Sequence, residues 1–92
     1  MAEDRLTKIY TFEPYFFKKK EVVFIELDKA VKYAIEDRLN TFKGMDLYHS
    51  GGKWVTEKGI RRYQVLFTRK GTEIQNVCAY INEVPIEDYE GD

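Results

Sequence analysis

Residues 21 to 44 read EVVFIELDKAVKYAIEDRLNTFKG, and a change of spacing inside this stretch decides the fold. EVVFIEL (21 to 27) is a short β-branched run of the kind that forms a strand. From Asp28 onward the apolar positions move to steps of three and four. Leu27, Val31, Ile35, Leu39 and Phe42, with Ala30 and Ala34 beside them, fall on one stripe of a helix. The spacing predicts a helix over about residues 29 to 42, with Asp28 as its N-cap and Gly44 as its stop.

Upstream, TKIYTF (7 to 12) is β-branched and aromatic. Pro14 lacks an amide donor and biases Glu13 toward extended backbone, so this run reads as an edge strand that ends or bends there, with Tyr15, Phe16 and Phe17 able to continue it. Downstream, Gly51-Gly52, Gly59 and Gly71 punctuate segments rich in Trp, Tyr, Val, Ile and Phe, which is the pattern of a β-meander.

A hairpin turn at Gly51-Gly52 would set Ser50 against Lys53, His49 against Trp54 and Leu47 against Thr56, with Met45, Leu47, His49 and Trp54 on one face. A second turn at Lys70-Gly71 would pair Phe67 with Ile74, Val65 with Asn76, Tyr63 with Cys78 and Arg61 with Tyr80. The fold class expected is α+β: an antiparallel sheet of five to six strands, in the order ββαβββ(β), with one helix packed on one face.

The chain has 92 residues, and no repeat or linker divides it. It reads as a single domain, 1 to 92, with a short acidic C-terminal tail over about residues 83 to 92. Six Phe, seven Tyr and one Trp supply enough apolar surface for a core and argue against disorder. No apolar run reaches membrane-spanning length, and MAEDRLTKIY lacks the layout of a signal peptide. With one cysteine and no internal disulfide, a cytoplasmic, intracellular protein with no membrane partner is the expectation.

Residues that could carry chemistry are few. His49 is the only histidine, Asp46 precedes it by three residues, and Cys78 lies on the last hairpin. A thiol, imidazole and carboxylate set is conceivable, but the register above puts Cys78 under the helix, where a thiol is inert. One His and one Cys far apart do not make a zinc site, and no acidic loop matches calcium binding. SGGK at 50 to 53 lacks the glycine spacing and following helix of a phosphate cradle. No catalytic residue, metal or cofactor is assigned.

Charge is more informative. Fifteen Lys and Arg nearly balance sixteen Asp and Glu, yet residues 45 to 71 carry +4 and residues 72 to 92 carry −6. YFFKKK (15 to 20) and RRYQVLF (61 to 67) interleave cations with rings, as a single-stranded nucleic-acid platform requires. Alternation on half-buried strands produces the same interleaving. The acidic tail reads as a solvated terminus, a cover for the basic hairpin, or a segment that docks on a partner.

The favoured expectation is a small non-catalytic binding or regulatory module acting through protein-protein contacts, with a homodimer as one form of partner. An accessory or inhibitory protein, as in phages and other mobile elements, fits that class. The candidate contact residues are Lys18, Lys19, Lys20, Lys53, Arg61, Arg62, Arg69 and Lys70, with Tyr15, Phe16 and Tyr48 as aromatic contacts. The alternatives are a nucleic-acid-binding protein using the same basic and aromatic hairpin, and a small enzyme with a site near His49.

Overall fold

The computed structural model describes residues 7–14 and 22–86. They form β1 (Lys8–Pro14), β2 (Val22–Phe24), α1 (Leu27–Thr41), β3 (Leu47–Glu57), β4 (Ile60–Arg69) and β5 (Gln75–Pro85). All pairings are antiparallel, and the five strands lie in the order β2-β1-β5-β4-β3. One helix packs against this sheet, which is the α+β arrangement the sequence predicts. β1 is an interior strand, paired on both sides, rather than an edge. It is matched to β5 from Lys8↔Pro85 to Pro14↔Ala79.

The helix rests on the sheet through its smallest side chains. Ala30 and Ala34 are fully enclosed, and with no side chain beyond Cβ they let the helix backbone approach β1 and β5 closely. The larger members of the expected stripe take flanking positions: Leu27, Val31 and Ile35 are half-buried, and Leu39 is exposed. Tyr33 fills the gap toward the β2 edge, its ring 5.1 Å from Phe12 in an edge-to-face contact and 5.4 Å from Phe24. Below the helix lie Phe12, Val65, Phe67, Cys78, Ala79 and Ile81.

The helix begins one residue before the expected cap. Glu26 occupies the N-cap position with extended backbone and no side-chain bond, while Asp28 stands in the first turn, where its charge favours the helix dipole. Starting at Leu27 brings that side chain into the core. The helix ends at Thr41, and Gly44 then turns the chain with a φ of 85°.

Both hairpins differ from the expected registers. Gly51-Gly52 is not a turn; it lies inside β3, an eleven-residue strand that runs through to Glu57. The turn is Lys58-Gly59, where both residues have positive φ (53° and 78°) and Glu57 pairs with Ile60, the signature of a two-residue hairpin loop. His49 therefore faces Phe67 rather than Trp54, and Trp54 faces Tyr63. A bulge at Ser50 restores the parity, so Leu47, His49 and Trp54 still share the helix side of the sheet.

In the second hairpin the loop is longer than two residues, and Arg61 pairs with Glu83, Tyr63 with Ile81 and Val65 with Ala79. A bulge at Cys78 then shifts the ladder, giving Leu66↔Val77 and Phe67↔Asn76. Because of that bulge, Cys78 and Ala79 both reach the core, at 4% and 2% exposure. Ile74, expected to be inward, is 67% exposed.

Gly52 has a steric role. The Tyr63 side chain lies across its backbone, and a Cβ at Gly52 would overlap the phenol ring. Trp54 packs edge-on against the same ring at 5.2 Å, so the far half of β3 and β4 is held by an aromatic laid over a glycine. Gly52→Ala is expected to lower stability by about 1–3 kcal/mol, as overpacking does. In a Tyr63→Ala background the same change should cost almost nothing. Urea unfolding of the four variants measures this coupling, and additive costs would refute the steric account.

Candidate functional site

The helix side holds the nucleophile candidates. Cys78 is enclosed by Phe12, Ala34, Arg38 and Ala79, and Arg38 Nη2 donates to the Cys78 carbonyl at 2.9 Å. Burial pushes the thiol above its ordinary value, against the opposing effect of the Arg38 hydrogen bond and charge. His49 is exposed on β3, its ring 5.8 Å from that of Phe67. The structure thus places a buried thiol under the helix and an imidazole on the edge strand. Among the described residues no group of three His, Cys, Asp or Glu side chains converges as metal ligands.

The opposite face carries a polar network centred on Arg62. Its Nε donates to Asn82 Oδ1 at 2.8 Å, Nη2 to Glu13 Oε1 at 3.1 Å, and Nη1 to Glu57. Asn82 Nδ2 also donates to Glu13 Oε1 at 3.1 Å, and the guanidinium lies 3.7 Å above the Tyr80 ring. The network lines an open concavity of about 970 Å³ that includes Thr11, Val84 and Pro85. Its polar groups engage one another, and among the described residues no buried side-chain polar atom lacks a partner. No sequence signal announces this cluster, because Glu13 and Asn82 are 69 positions apart and meet only through the β1-β5 pairing.

The candidate contact residues that the structure describes are spread over both faces of the β3-β4 hairpin. Arg61 and Arg62 point to opposite faces of β4. Arg61 lies 4.0 Å above the Trp54 ring and shares Glu83 with Lys8, at 3.3 and 3.4 Å. Glu83, expected in the tail, is thus part of β5 and holds the basic hairpin. Arg69 and Lys70 are exposed at the far end of β4, on the order of 25 Å from Arg61 along the strand. Lys53 and Tyr48 are exposed on β3. Lys18, Lys19, Lys20, Tyr15 and Phe16 lie outside the described residues, as do residues 87 to 92.

The feature that side-chain reading missed is backbone. β3 is the edge of the sheet, and among the described residues no strand pairs with its outer side. The Lys58-Gly59 loop fixes which groups are free. In a two-residue hairpin Glu57 and Ile60 are a hydrogen-bonded pair, and bonded pairs then alternate with non-bonded ones. Val55 and Lys53 bond β4, so Thr56, Trp54 and Gly52 turn their N–H and C=O outward.

Comparison with protein-family models, curated proteins and solved structures finds no match. No helix among the described residues is long and apolar enough to cross a membrane.

Two measurements test this geometry. The native state holds the Cys78 proton more tightly than the unfolded chain does, so stability falls as pH rises past the free thiol value of about 8.5. Cys78→Ala should flatten that alkaline decline between about pH 8 and 10 relative to the parent. Arg62→Ala should cost about 1–3 kcal/mol in urea unfolding, since the side chain is only 17% exposed and both its packing and its bonds are lost. Arg62→Lys should recover only part of that, because an ammonium cannot lie flat on Tyr80 while reaching three acceptors.

Proposed function

We propose that this protein is a non-catalytic binding module, regulatory or inhibitory in action, whose partner is another polypeptide aligned along the free edge of β3. The observation that carries this reading is the run of outward backbone donors and acceptors at Gly52, Trp54 and Thr56, unpaired among the described residues. Strand addition satisfies such groups and takes its selectivity from alternate side chains. The exposed Tyr48 and Lys53 on the outer face, and half-buried Trp54 on the helix side, supply those alternates.

The other readings draw less support. Nucleic-acid binding would use Arg61 and Arg62, and both are engaged with carboxylates and aromatic rings of the same chain. An enzyme near His49 would need a partner group, and the thiol is buried elsewhere. A reducing, intracellular location suits the single free cysteine.

Thr56→Pro tests the edge directly. Thr56 and Arg61 form a non-bonded pair, so a proline there removes an outward N–H without breaking the ladder to β4. The variant should keep its circular dichroism spectrum and melting temperature. Proteins retained by the immobilised parent in about 0.5 M salt should fall to background on the variant. Undiminished retention would refute the edge reading, and oligonucleotide binding at low salt that fades with added salt would favour the nucleic-acid one.

A further inference from the structure

We infer that the strand taken up by the β3 edge is β3 of a second copy of this chain, running antiparallel across a two-fold axis at Val55. The inference rests on the edge reading above and names its occupant.

The register follows from the outward groups and from charge. Two β3 edges related by a two-fold axis must align the residues whose backbone points outward, Gly52, Trp54 and Thr56. Axes through residues 53, 54, 55 or 56 all do so, and the side chains between them discriminate. An axis at 53 sets Lys53 against its own copy, which is repulsive. An axis at 54 leaves Lys53 facing Val55 and Glu57 facing Gly51, with neither charge matched. An axis at 56 sets Val55 against Glu57 and runs past the end of the strand.

Only the axis at 55 places Lys53 of each copy opposite Glu57 of the other, twice by symmetry, with the two Val55 side chains in contact between them. Trp54 then lies opposite Thr56 on the helix side. These outer-face pairs are non-hydrogen-bonded pairs of the new ladder, where side chains are closest and opposite charges interact best. Glu57 is suited to the role, since its Oε1 accepts from Arg62 and it remains half exposed.

A lysine in the middle of an open edge normally discourages pairing. Here it selects a single register, because the chain carries its complement four residues on. The bulge at Ser50 bounds the contact on one side and the Lys58-Gly59 turn bounds it on the other. The product is one continuous ten-stranded sheet with both long edges internal.

The test uses the whole chain in solution. Sedimentation equilibrium should show a concentration-dependent dimer of the parent protein. Lys53→Glu should raise the dissociation constant about tenfold or more, while Lys53→Arg, which keeps a cation opposite Glu57, should leave it nearly unchanged. Val55→Cys should form an interchain disulfide on mild oxidation, since Cα atoms at such a pair lie about 4.5 Å apart. Tyr48→Cys, outside the contact, should not, and the buried Cys78 does not compete.

A parent protein that stays monomeric up to about 1 mM, or a dimer indifferent to both Lys53→Glu and Thr56→Pro, overturns the inference. If the parent is monomeric and Thr56→Pro still abolishes capture of other proteins, self-pairing fails and the edge reading stands. If Thr56→Pro changes neither association nor capture, the edge reading fails as well.

Discussion

Ala30 and Ala34 bring α1 down onto β1 and β5, and the distribution of stability in the molecule follows from that seat. A fifteen-residue helix covers a strip about 22 Å long and about 10 Å wide. The eleven-residue strands β3 and β5 are each about 36 Å long, so the sheet extends beyond what one helix can roof. Phe12, Val65, Ile81 and Ala79 sit beneath it. The hairpin of β3 and β4 extends past its cover and must hold itself together by cross-strand contacts.

Those contacts are specific. Tyr63 lies over Gly52, Trp54 meets the Tyr63 ring, and Arg61 caps the indole while paired to Glu83. On the other face Arg62 ties β4 to β1 through Glu13 and to β3 through Glu57. The two adjacent arginines thus brace the same hairpin from opposite sides. The cation-rich segment that suggests a nucleic-acid surface in one dimension is in large part internal bracing in three, and the accessible feature is the outer backbone of β3. A residue pair of opposite charge on that strand, Lys53 and Glu57, gives an edge contact a way to choose its register.

The helix was legible because its signal is local: apolar steps of three and four between Leu27 and Phe42 require only the 3.6-residue repeat. The inward face of β4 was legible for the same reason, with Tyr63, Val65 and Phe67 alternating at the period of a strand. The hairpins were misread where glycine had two meanings. Gly51-Gly52 has the composition of a turn, but the pair serves a bulge and the close passage of Tyr63, whereas the turn uses the less conspicuous Lys58-Gly59. The bulge at Cys78 was equally hidden, since a ladder shift depends on how both strands meet the helix.

By itself the chain determined its α+β class, one helix and the inward side of β4, because hydrophobic periodicity and residue volume act over a few neighbouring positions. Strand order, both registers and the Arg62 network were decided only in three dimensions. They arise from contacts between segments as far apart as Glu13 and Asn82, whose pairing is selected by the fit of the whole sheet under one helix. The outer edge of β3, unpaired among the described residues, belongs to the same category, for an edge is defined by what fails to pair with it, and no local pattern records that.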